Sequence, residues 1–391
     1  MAPLEGITII EFSTMITASL AAMMAAEQGA RVIKIEPVET GDPMRGIGTS
    51  KAGMSGLFAN CNRGKESVRL DLKDPRGQAL AAQLSRDADV VIHNFRPGVM
   101  DGLGLGSDAL RAANPRLIYV AITGFGTQGP LANAPAYDPV VQAHAGIAAS
   151  QGRETPAFVR NLMCDKITAY TACQALTAAL FQRERTDTGQ HIDLSMLDSS
   201  LFFLFPDAFM NHTLLDEDAV FQPLLADLLY ELTLTSDGAV TISASTPAQR
   251  MGVYRALGKE EMATDPRFST LPELMKNMAE YRGLMAAAFA ALDTETLLTR
   301  LADNDVPCAR CLTKEEVLTD AQVAANGTLD ETRHPHLGRI RRVRSPAKFG
   351  GDRLPAASDS PAHGEHTRRV LAAAGLESTE IDALTRAGVV A

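Results

Sequence analysis

The fold class is indicated first by a segment near the start of the chain, Gly6-Ile-Thr-Ile-Ile-Glu-Phe12. It is short, apolar and β-branched, which predicts a buried strand. The Ala-rich segment from Ala18 to Gln28 predicts a helix, and Gly29 stands where helices commonly end on a left-handed residue. Arg31-Val-Ile-Lys-Ile-Glu36 predicts a second strand. A strand, a helix and a strand in this order favour a parallel β-α-β unit.

The same alternation continues further along the chain. We expect a helix near Asp74–Asp87 and strands at Asp89–His93 and Leu117–Ile122. This order predicts an α/β, Rossmann-like, doubly wound sheet. The turn after the first strand, Ser13–Ser19, contains no glycine, so its backbone is not suited to a dinucleotide pyrophosphate.

The pattern changes after Asp198, and it predicts a second, smaller α+β domain. A hairpin is expected around Ser236-Asp-Gly238, with strands at Leu229–Leu234 and Ala239–Ala244. Helices are expected after it, near Pro247–Leu257, Leu274–Leu292 and Glu295–Asn304. The predicted organisation is a large domain at 1–210, a linker at 211–228, a small domain at 229–315, and a return linker with the C-terminal part of the large domain at 316–391.

Composition limits the classes of partner. The chain has 391 residues, with 47 acidic against 37 basic side chains and a net charge of −10, which argues against nucleic acid and anionic membranes as partners. It has no apolar run long enough to span a membrane and no recognisable signal peptide, so we expect a cytoplasmic protein. The five cysteines form an odd, sparse set, and Cys308-Ala-Arg-Cys311 lacks a second pair, so no metal site is predicted.

One carboxylate, Asp165, has an informative setting. It begins an Ala-rich helical segment, and before it lie a glycine-rich loop at Thr123–Pro130 and the pair Tyr137-Asp138. A carboxylate at the start of a helix is more often an N-cap than a catalytic group. Asp165 is therefore distinguished by the rest of the chain rather than by its residue type.

Taken together, these segments resemble the class III CoA-transferase family, which includes formyl-CoA transferases, carnitine CoA-transferases and α-methylacyl-CoA racemases. The matching motifs run through most of the chain in a consistent order. They are Pro3–Ile7, Gly29–Glu36, Gly41-Asp42 with Arg45, Asn62–Lys73, Asn94–Gly98, Leu103–Leu105, Asn114–Ile118, Gly124–Pro130, Tyr137-Asp138, Gly189–Asp198 and Gly364–Thr367.

The resemblance implies a fold, a nucleophile and a binding site. Each chain would have a Rossmann-like large domain built from its N- and C-terminal parts and a small domain, with two chains interlocked as a homodimer. The catalytic aspartate maps onto Asp165. CoA would be lined by five residues, Leu70, Lys73, Asn94, Phe95 and Arg96. Coenzyme A thioester would be a substrate, with no tightly bound cofactor.

The implied reaction moves CoA from an acyl-CoA to a carboxylic acid. Asp165 would attack the thioester carbonyl, expel CoA thiolate and form an aspartyl-acyl anhydride. Gly124 and Gly126 could let a loop backbone approach the oxyanion of the tetrahedral intermediate. Tyr137 and Asp138 are further candidates for the active site.

Three positions depart from the family pattern. Ile16 replaces the glutamine that formyl-CoA transferases place near the thioester, Ser19 ends a run that is often Ala-Gly-Pro, and Pro37 replaces a common arginine. These departures argue against oxalate and formyl-CoA as substrates.

Two alternatives stay open. A racemase needs two bases, and Tyr137 stands at the position of the racemase histidine although tyrosine is a poor base at neutral pH. The second alternative is a non-catalytic CoA-binding paralogue.

Overall fold

The computed structural model describes residues 1–152, 155–222, 226 and 230–391. The chain divides into two compact units. The first unit combines Met1–Pro206 with Asn326–Ala391, and the second is Asp207–Ala325.

The first unit is built on a six-stranded sheet in which all the paired neighbours are parallel. This confirms the predicted α/β class. The strands are β1 (Thr8–Phe12), β2 (Arg31–Glu36), β3 (Lys65–Arg69), β4 (Val90–His93), β5 (Ile118–Thr123) and β6 (His191–Ser195). Their order is β3-β2-β1-β4-β5-β6, so the chain reverses its direction of winding between β1 and β4. Ligands of such sheets bind beyond the carboxyl ends of the strands at this reversal.

Alternate side chains of the strands supply two separate cores. Ile9 pairs with Val32 and Val90 in register, and all three lie in the core beneath the first helix. Ile10, the next residue, belongs to the core on the opposite face. This alternation follows from the period of two in a strand, and a sheet covered on both faces explains its apolar central strands.

Helices of the first unit cover both faces of the sheet. The N-terminal segment contributes nine helices within the described residues. They are α1 (Thr17–Glu27), α2 (Gly56–Asn62), α3 (Pro75–Arg86), α4 (Val99–Gly102), α5 (Ser107–Ala113), α6 (Asp138–His144), α7 (Ile147–Gln151), α8 (Met163–Thr186) and α9 (Met196–Ala208). The C-terminal segment contributes the helices Thr367–Ala373 and Ser378–Arg386. These two pack with α3 and α5 on one face, whereas α1 and α8 cover the other face with small residues that permit close approach.

Short elements complete the first unit. A 3₁₀ turn spans Pro43–Gly46, and the antiparallel strand pairs are Ser50–Lys51 with Met54–Ser55, Leu329–His334 with Gly338–Val343, and Lys348–Phe349 with Asp352–Arg353.

The second unit has its own apolar core and a three-stranded antiparallel sheet. Its strands are Thr233–Leu234, Ala239–Ile242 and Cys308–Arg310, and its helices are Pro247–Leu257, Leu271–Lys276, Met278–Ala290, Thr294–Asp303, Lys314–Val317 and Ala321–Ala325, with 3₁₀ turns at Met210–His212 and Glu260–Ala263. The predicted hairpin is confirmed in its described part, since Thr233 pairs with Val240, while its first residue, Leu229, lies outside the described residues.

The single helix predicted at Leu274–Leu292 is wrong, because the structure has two helices that meet at Asn277. The Asn277 amide donates to the carbonyls of Glu273 and Arg267. Such local side-chain bonds compete with helix continuation.

None of the helices in the described ranges is long and apolar enough to cross a membrane.

Candidate active site

A cavity of about 320 Å³ lies beyond the carboxyl ends of β1, β4 and β5. Its wall is made by the loops that follow these three strands, by the segment before α6 and by the start of α8. The lining residues are Thr14, Met15, Thr17, Asn94, Phe95, Arg96, Pro97, Val99, Ile122, Thr123, Gly124, Ala132, Ala134, Pro135, Ala136, Tyr137, Asp165 and Met196. All of them belong to the first unit, and they include the predicted nucleophile.

Asp165 enters the cavity from the first turn of α8. The helix begins at Met163, and its N-cap, Leu162, offers no side-chain cap. The missing cap is supplied from α6, because Asp138 Oδ2 accepts the backbone N–H of Asp165 at 3.1 Å. The alternative that Asp165 is itself an ordinary N-cap is therefore wrong.

The environment of Asp165 opposes its ionisation. Burial raises the pKa of the Asp165 carboxyl to about 7, with a further contribution from the nearby charge of Asp138 that outweighs the opposite effect of Lys166. A carboxyl with this pKa is about half ionised at neutral pH. Perturbed groups of this kind concentrate in functional sites.

A buried amide holds Asp138 in place. Gln142 Nε2 donates to Asp138 Oδ1 at 2.6 Å and to the carbonyls of Val159 and Asn161 at 3.1 and 3.0 Å, while its Oε1 accepts the N–H of Val159. Gln142 thus joins α6 to the segment that leads into α8. Sequence reasoning missed this residue, although its spacing of one helical turn from Asp138 was a usable signal.

The loop after β1 is fixed by side chains from the segments that follow two other strands, β2 and β4. Asn94 Oδ1 accepts the N–H of Thr14, and Asn94 Nδ2 donates to the Thr14 carbonyl and to Thr17 Oγ1. Met15, which lines the cavity, has a left-handed backbone with φ 62°, and its N–H is donated to Asp42 Oδ1 at 3.2 Å. Sequence reasoning did not single out Thr14 or Asp42 as site residues, whereas Met15 was expected, with Ile16, to make the substrate pocket less polar.

The five residues predicted to bind CoA do not all line the cavity. Asn94, Phe95 and Arg96 line the cavity, but the amide of Asn94 is engaged by the loop after β1. Leu70 and Lys73 do not line it. Leu70 is a core residue that is 1% exposed, so its side chain is not available to an adenine, and Lys73 lies on the surface.

Ile16, a further candidate for the active site from the sequence, does not line the cavity. It is 2% exposed and packs with Met44, Met54 and Phe58. The left-handed backbone of Met15 precedes it, and the Ile16 side chain lies in the core, whereas Met15 and Thr17 line the cavity.

The two predicted loop glycines have different roles. A Cβ on Gly124 would lie 2.3 Å from the Cβ of Ala136, so Gly124 allows the segment before α6 to approach the end of β5. Gly126 has φ +93° and does not line the cavity. Its N–H is donated to Thr123 Oγ1 at 3.0 Å, so that group is not free for an oxyanion.

Tyr137 lines the cavity and is largely exposed, whereas the next residue, Asp138, is buried. His144, which follows in the same helix, is exposed and contacts Phe125 edge to face. Within the described ranges, no cluster of three or more His, Cys, Asp or Glu residues could hold a metal ion.

The sequence model of CoA-transferase family III matches residues 4–367. The chain belongs to CoA-transferase family III. The resemblance seen in the sequence motifs is therefore confirmed, and the protein is a family III CoA-transferase, an enzyme that transfers CoA between acyl-CoA and carboxylic acids.

Individual relatives are similar to this chain over most of its length. It is 32% identical to succinate–glutarate CoA-transferase of Agrobacterium fabrum, over 95% of both chains. It is also 32% identical to acetyl-CoA:oxalate CoA-transferase of Acetobacter aceti, over 89% of this chain and 90% of the relative. The crystal structure of a CAIB/BAIF family protein from Brucella suis superposes with a TM-score of 0.84 at 30% identity, covering 95% of this chain and 99% of that one.

Proposed function

We propose that this enzyme transfers CoA through an aspartyl-acyl anhydride on Asp165. One observation carries the proposal: among the described residues that line the cavity, Asp165 is the single carboxylate. It stands beyond the carboxyl ends of the parallel strands, where α/β sheets bind their ligands. Its raised pKa of about 7 still leaves much of the group ionised at neutral pH, and ionisation is what a carboxylate nucleophile needs.

The transfer of CoA from donor to acceptor takes place in four nucleophilic steps, and each step is balanced. The Asp165 carboxylate attacks the donor thioester, the carbon–sulfur bond breaks, and CoA thiolate leaves an aspartyl-acyl anhydride. The thiolate then attacks the aspartyl carbonyl and releases the donor acid, which leaves an aspartyl-CoA thioester. The acceptor carboxylate attacks this thioester and expels the thiolate. Attack of the thiolate on the acceptor's acyl carbonyl forms the product thioester and frees the Asp165 carboxylate.

The racemase alternative has less support. Proton exchange on both faces of an α-carbon needs two bases. Among the described lining residues there is no histidine, and Tyr137 is the other group that could exchange a proton with an α-carbon. His144 lies outside this lining set.

We further propose a short dicarboxylic acid as the acceptor. The relative from Agrobacterium fabrum is named for two such acids, succinate and glutarate. The relative from Acetobacter aceti is named for oxalate and is equally similar to this chain, but the departures in the sequence argue against oxalate itself. The exposed guanidinium of Arg96 lines the cavity and could pair with a second carboxylate or with a phosphate of CoA.

A homodimer is also proposed. Large apolar side chains are exposed along α8 and α9, and Phe202 is 82% exposed. The others are Tyr170, Phe181, Phe203 and Phe205. Apolar faces of this kind mark association surfaces. A single species with the mass of one chain in sedimentation velocity would contradict the dimer.

The anhydride route is tested by trapping. The enzyme is incubated with a panel of acyl-CoAs, starting with dicarboxylic monothioesters, in the presence of hydroxylamine, and its peptides are mapped by mass spectrometry. The expected result is a hydroxamate on Asp165 that forms with a reactive donor and is absent from Asp165→Asn. Transfer activity without a hydroxamate at Asp165 would contradict the proposal. Solvent deuterium entering the α-carbon of an acyl-CoA, without transfer, would favour the racemase instead.

A further inference from the structure

The turn that carries Met15 is held in an unfavourable conformation. Positive φ is uncommon for residues other than glycine, and among the described residues it is adopted by Met15, Ala52, Asp187 and Asp305. Met15 alone of these four lines the cavity. Backbones of this kind persist only where the surroundings fix them, and they concentrate at functional sites.

Three side chains fix the backbone of this turn residue by residue. Lys34 Nζ donates to the Ser13 carbonyl at 3.1 Å. Asn94 bonds both the N–H and the carbonyl of Thr14, at 3.1 and 2.6 Å. Asp42 Oδ1 accepts the N–H of Met15 at 3.2 Å.

Two of these three groups belong to a buried ion-pair cluster, consisting of Glu11, Lys34, Asp42 and Lys65. The side chains of Lys34 and Asp42 are fully buried, and Lys34 Nζ lies 3.0 Å from Asp42 Oδ2 and 2.7 Å from Glu11 Oε1. Lys65 Nζ lies 2.7 Å from Glu11 Oε2. Such clusters are weak sources of stability, because desolvation of the charges offsets their attraction.

The two carboxylate oxygens of Asp42 contact different partners. Oδ2 faces the Lys34 ammonium, which leaves Oδ1 directed at the backbone N–H groups of Met15 and Met44. The buried lysine therefore orients the carboxylate that holds the turn. Lys34 also holds the Ser13 carbonyl, so it acts on the turn from both ends.

We infer that Asp42, oriented by Lys34, is a positioning residue that keeps the Met15 turn in its left-handed conformation at the wall of the reaction cavity. The inference rests on the proposed function, since it takes this cavity as the place where the thioester reacts. Displacement of a reacting group by about 1 Å can lower a rate about 100-fold, so a turn of this kind affects catalysis without contacting the reacting atoms.

The decisive variant is Asp42→Asn. An amide has one acceptor oxygen, and we expect the Lys34 ammonium, which lies 3.0 Å from Asp42 Oδ2 in the native ion pair, to attract that oxygen. The amide NH₂ would then face the N–H of Met15. We expect kcat/KM for CoA transfer to fall about 10- to 100-fold. Glycine adopts positive φ without a Cβ penalty, so in combination with Met15→Gly the same Asp42→Asn change should lower kcat/KM by less than about 3-fold.

The matched control is Lys65→Gln. It breaks a buried ion pair of the same cluster, but Lys65 bonds the Ser19 carbonyl in α1 and Asn62, and it makes no bond to the backbone of Ser13, Thr14 or Met15. Its effect on kcat/KM should be the same with and without Met15→Gly. If Asp42→Asn does not fold, Asp42→Ser is used in the same combinations. Its side chain has no charge and retains one oxygen.

The inference would be overturned if Asp42→Asn lowered kcat/KM by the same factor with and without Met15→Gly, as is expected of the control Lys65→Gln. Thermal unfolding of each variant separates loss of fold from loss of position. If the native enzyme transferred no CoA with any donor, the proposed function would fail separately. The effects of Asp42→Asn, alone and combined with Met15→Gly, would then be measured on the dissociation constant of CoA. We expect Met15→Gly to reduce the effect of Asp42→Asn on this constant as well, and independent effects would again overturn the inference.

Discussion

At the scale of the residue, the ionisation of Asp165 links its surroundings to its reactivity. Burial and the charge of Asp138 raise the Asp165 pKa to about 7, and only the carboxylate form can attack a thioester. We therefore expect the isotope exchange between a labelled donor acid and its CoA ester to rise with pH and to level off above an apparent pKa of about 7. This exchange reports on the first two steps without an acceptor acid.

Asp138→Asn tests the cause of that pKa. The substitution removes the like charge, which is the second-largest cause of the shift, and leaves burial in place. The midpoint of the exchange profile should move to lower pH. An unchanged midpoint, with normal folding by circular dichroism, would show that Asp138 does not act on Asp165 electrostatically.

The same pKa predicts a stability penalty at the active site. A carboxyl whose folded pKa is raised from its ordinary value of about 4 to about 7 stabilises the fold below about pH 4, and this contribution is lost as pH rises to about 7. Asp165→Asn should therefore be more stable than the native enzyme above pH 7, by up to about 4 kcal/mol, with little difference near pH 4. Chemical denaturation at the two pH values measures the difference. Equal stability at the higher pH would contradict the shift.

At the scale of the element, the loop after β5 and the segment before α6 meet at Gly124. Gly124→Ala would bring two Cβ atoms within 2.3 Å, so the segment that carries Tyr137 must move. We expect a loss of about 1–3 kcal/mol in unfolding free energy and a lower transfer rate. Gly102→Ala in α4 is the control, since its Cβ meets nothing within 4 Å and its φ is not positive. Equal behaviour of the two variants would contradict the close approach.

The start of α8 depends on Gln142 in α6. Gln142→Ala would leave Asp138 and the carbonyls of Val159 and Asn161 without this donor, which should lower the unfolding free energy by at least about 2 kcal/mol. The isotope exchange should slow as well, because Asp138 holds the N–H of Asp165. Gln78→Ala, which removes one bond to the Leu72 carbonyl, should leave the exchange rate unchanged. A slowed exchange in both variants would argue against a specific role for Gln142.

The strands predicted from the sequence were those at the centre of the sheet. β1, β2, β4 and β5 are buried on both faces and are mostly apolar, so their pattern was visible. β3 and β6 were missed as strands, and both lie at the edges. β6, His191-Ile-Asp-Leu-Ser195, alternates polar and apolar residues, and this short pattern is weak without knowledge of its neighbours. β3, Lys65-Glu-Ser-Val-Arg69, contains one apolar residue and therefore no apolar pattern.

At the scale of the whole molecule, the site is assembled from side chains that are distant in the chain. Asp165 and the Asn94–Arg96 segment, which the motifs single out, line one cavity. The contacts that hold them could not be predicted, because Asp42 reaches Met15 and Asn94 reaches Thr14 only through the order of the strands. The place of the Ile16 side chain in the core could not be predicted for the same reason, since the left-handed backbone at Met15 is set by tertiary contacts rather than by residue type.

The route through Asp165 is tested most directly by oxygen transfer. In the four-step exchange, the oxygen that bridges the second anhydride comes from the acceptor acid and remains on Asp165 when the product thioester leaves. With an acceptor acid labelled by ¹⁸O in both carboxylate oxygens, the peptide that contains Asp165 should gain ¹⁸O after one turnover, and the donor acid should gain it in later turnovers. CoA transfer to the labelled acceptor with no ¹⁸O in the Asp165 peptide would contradict the account.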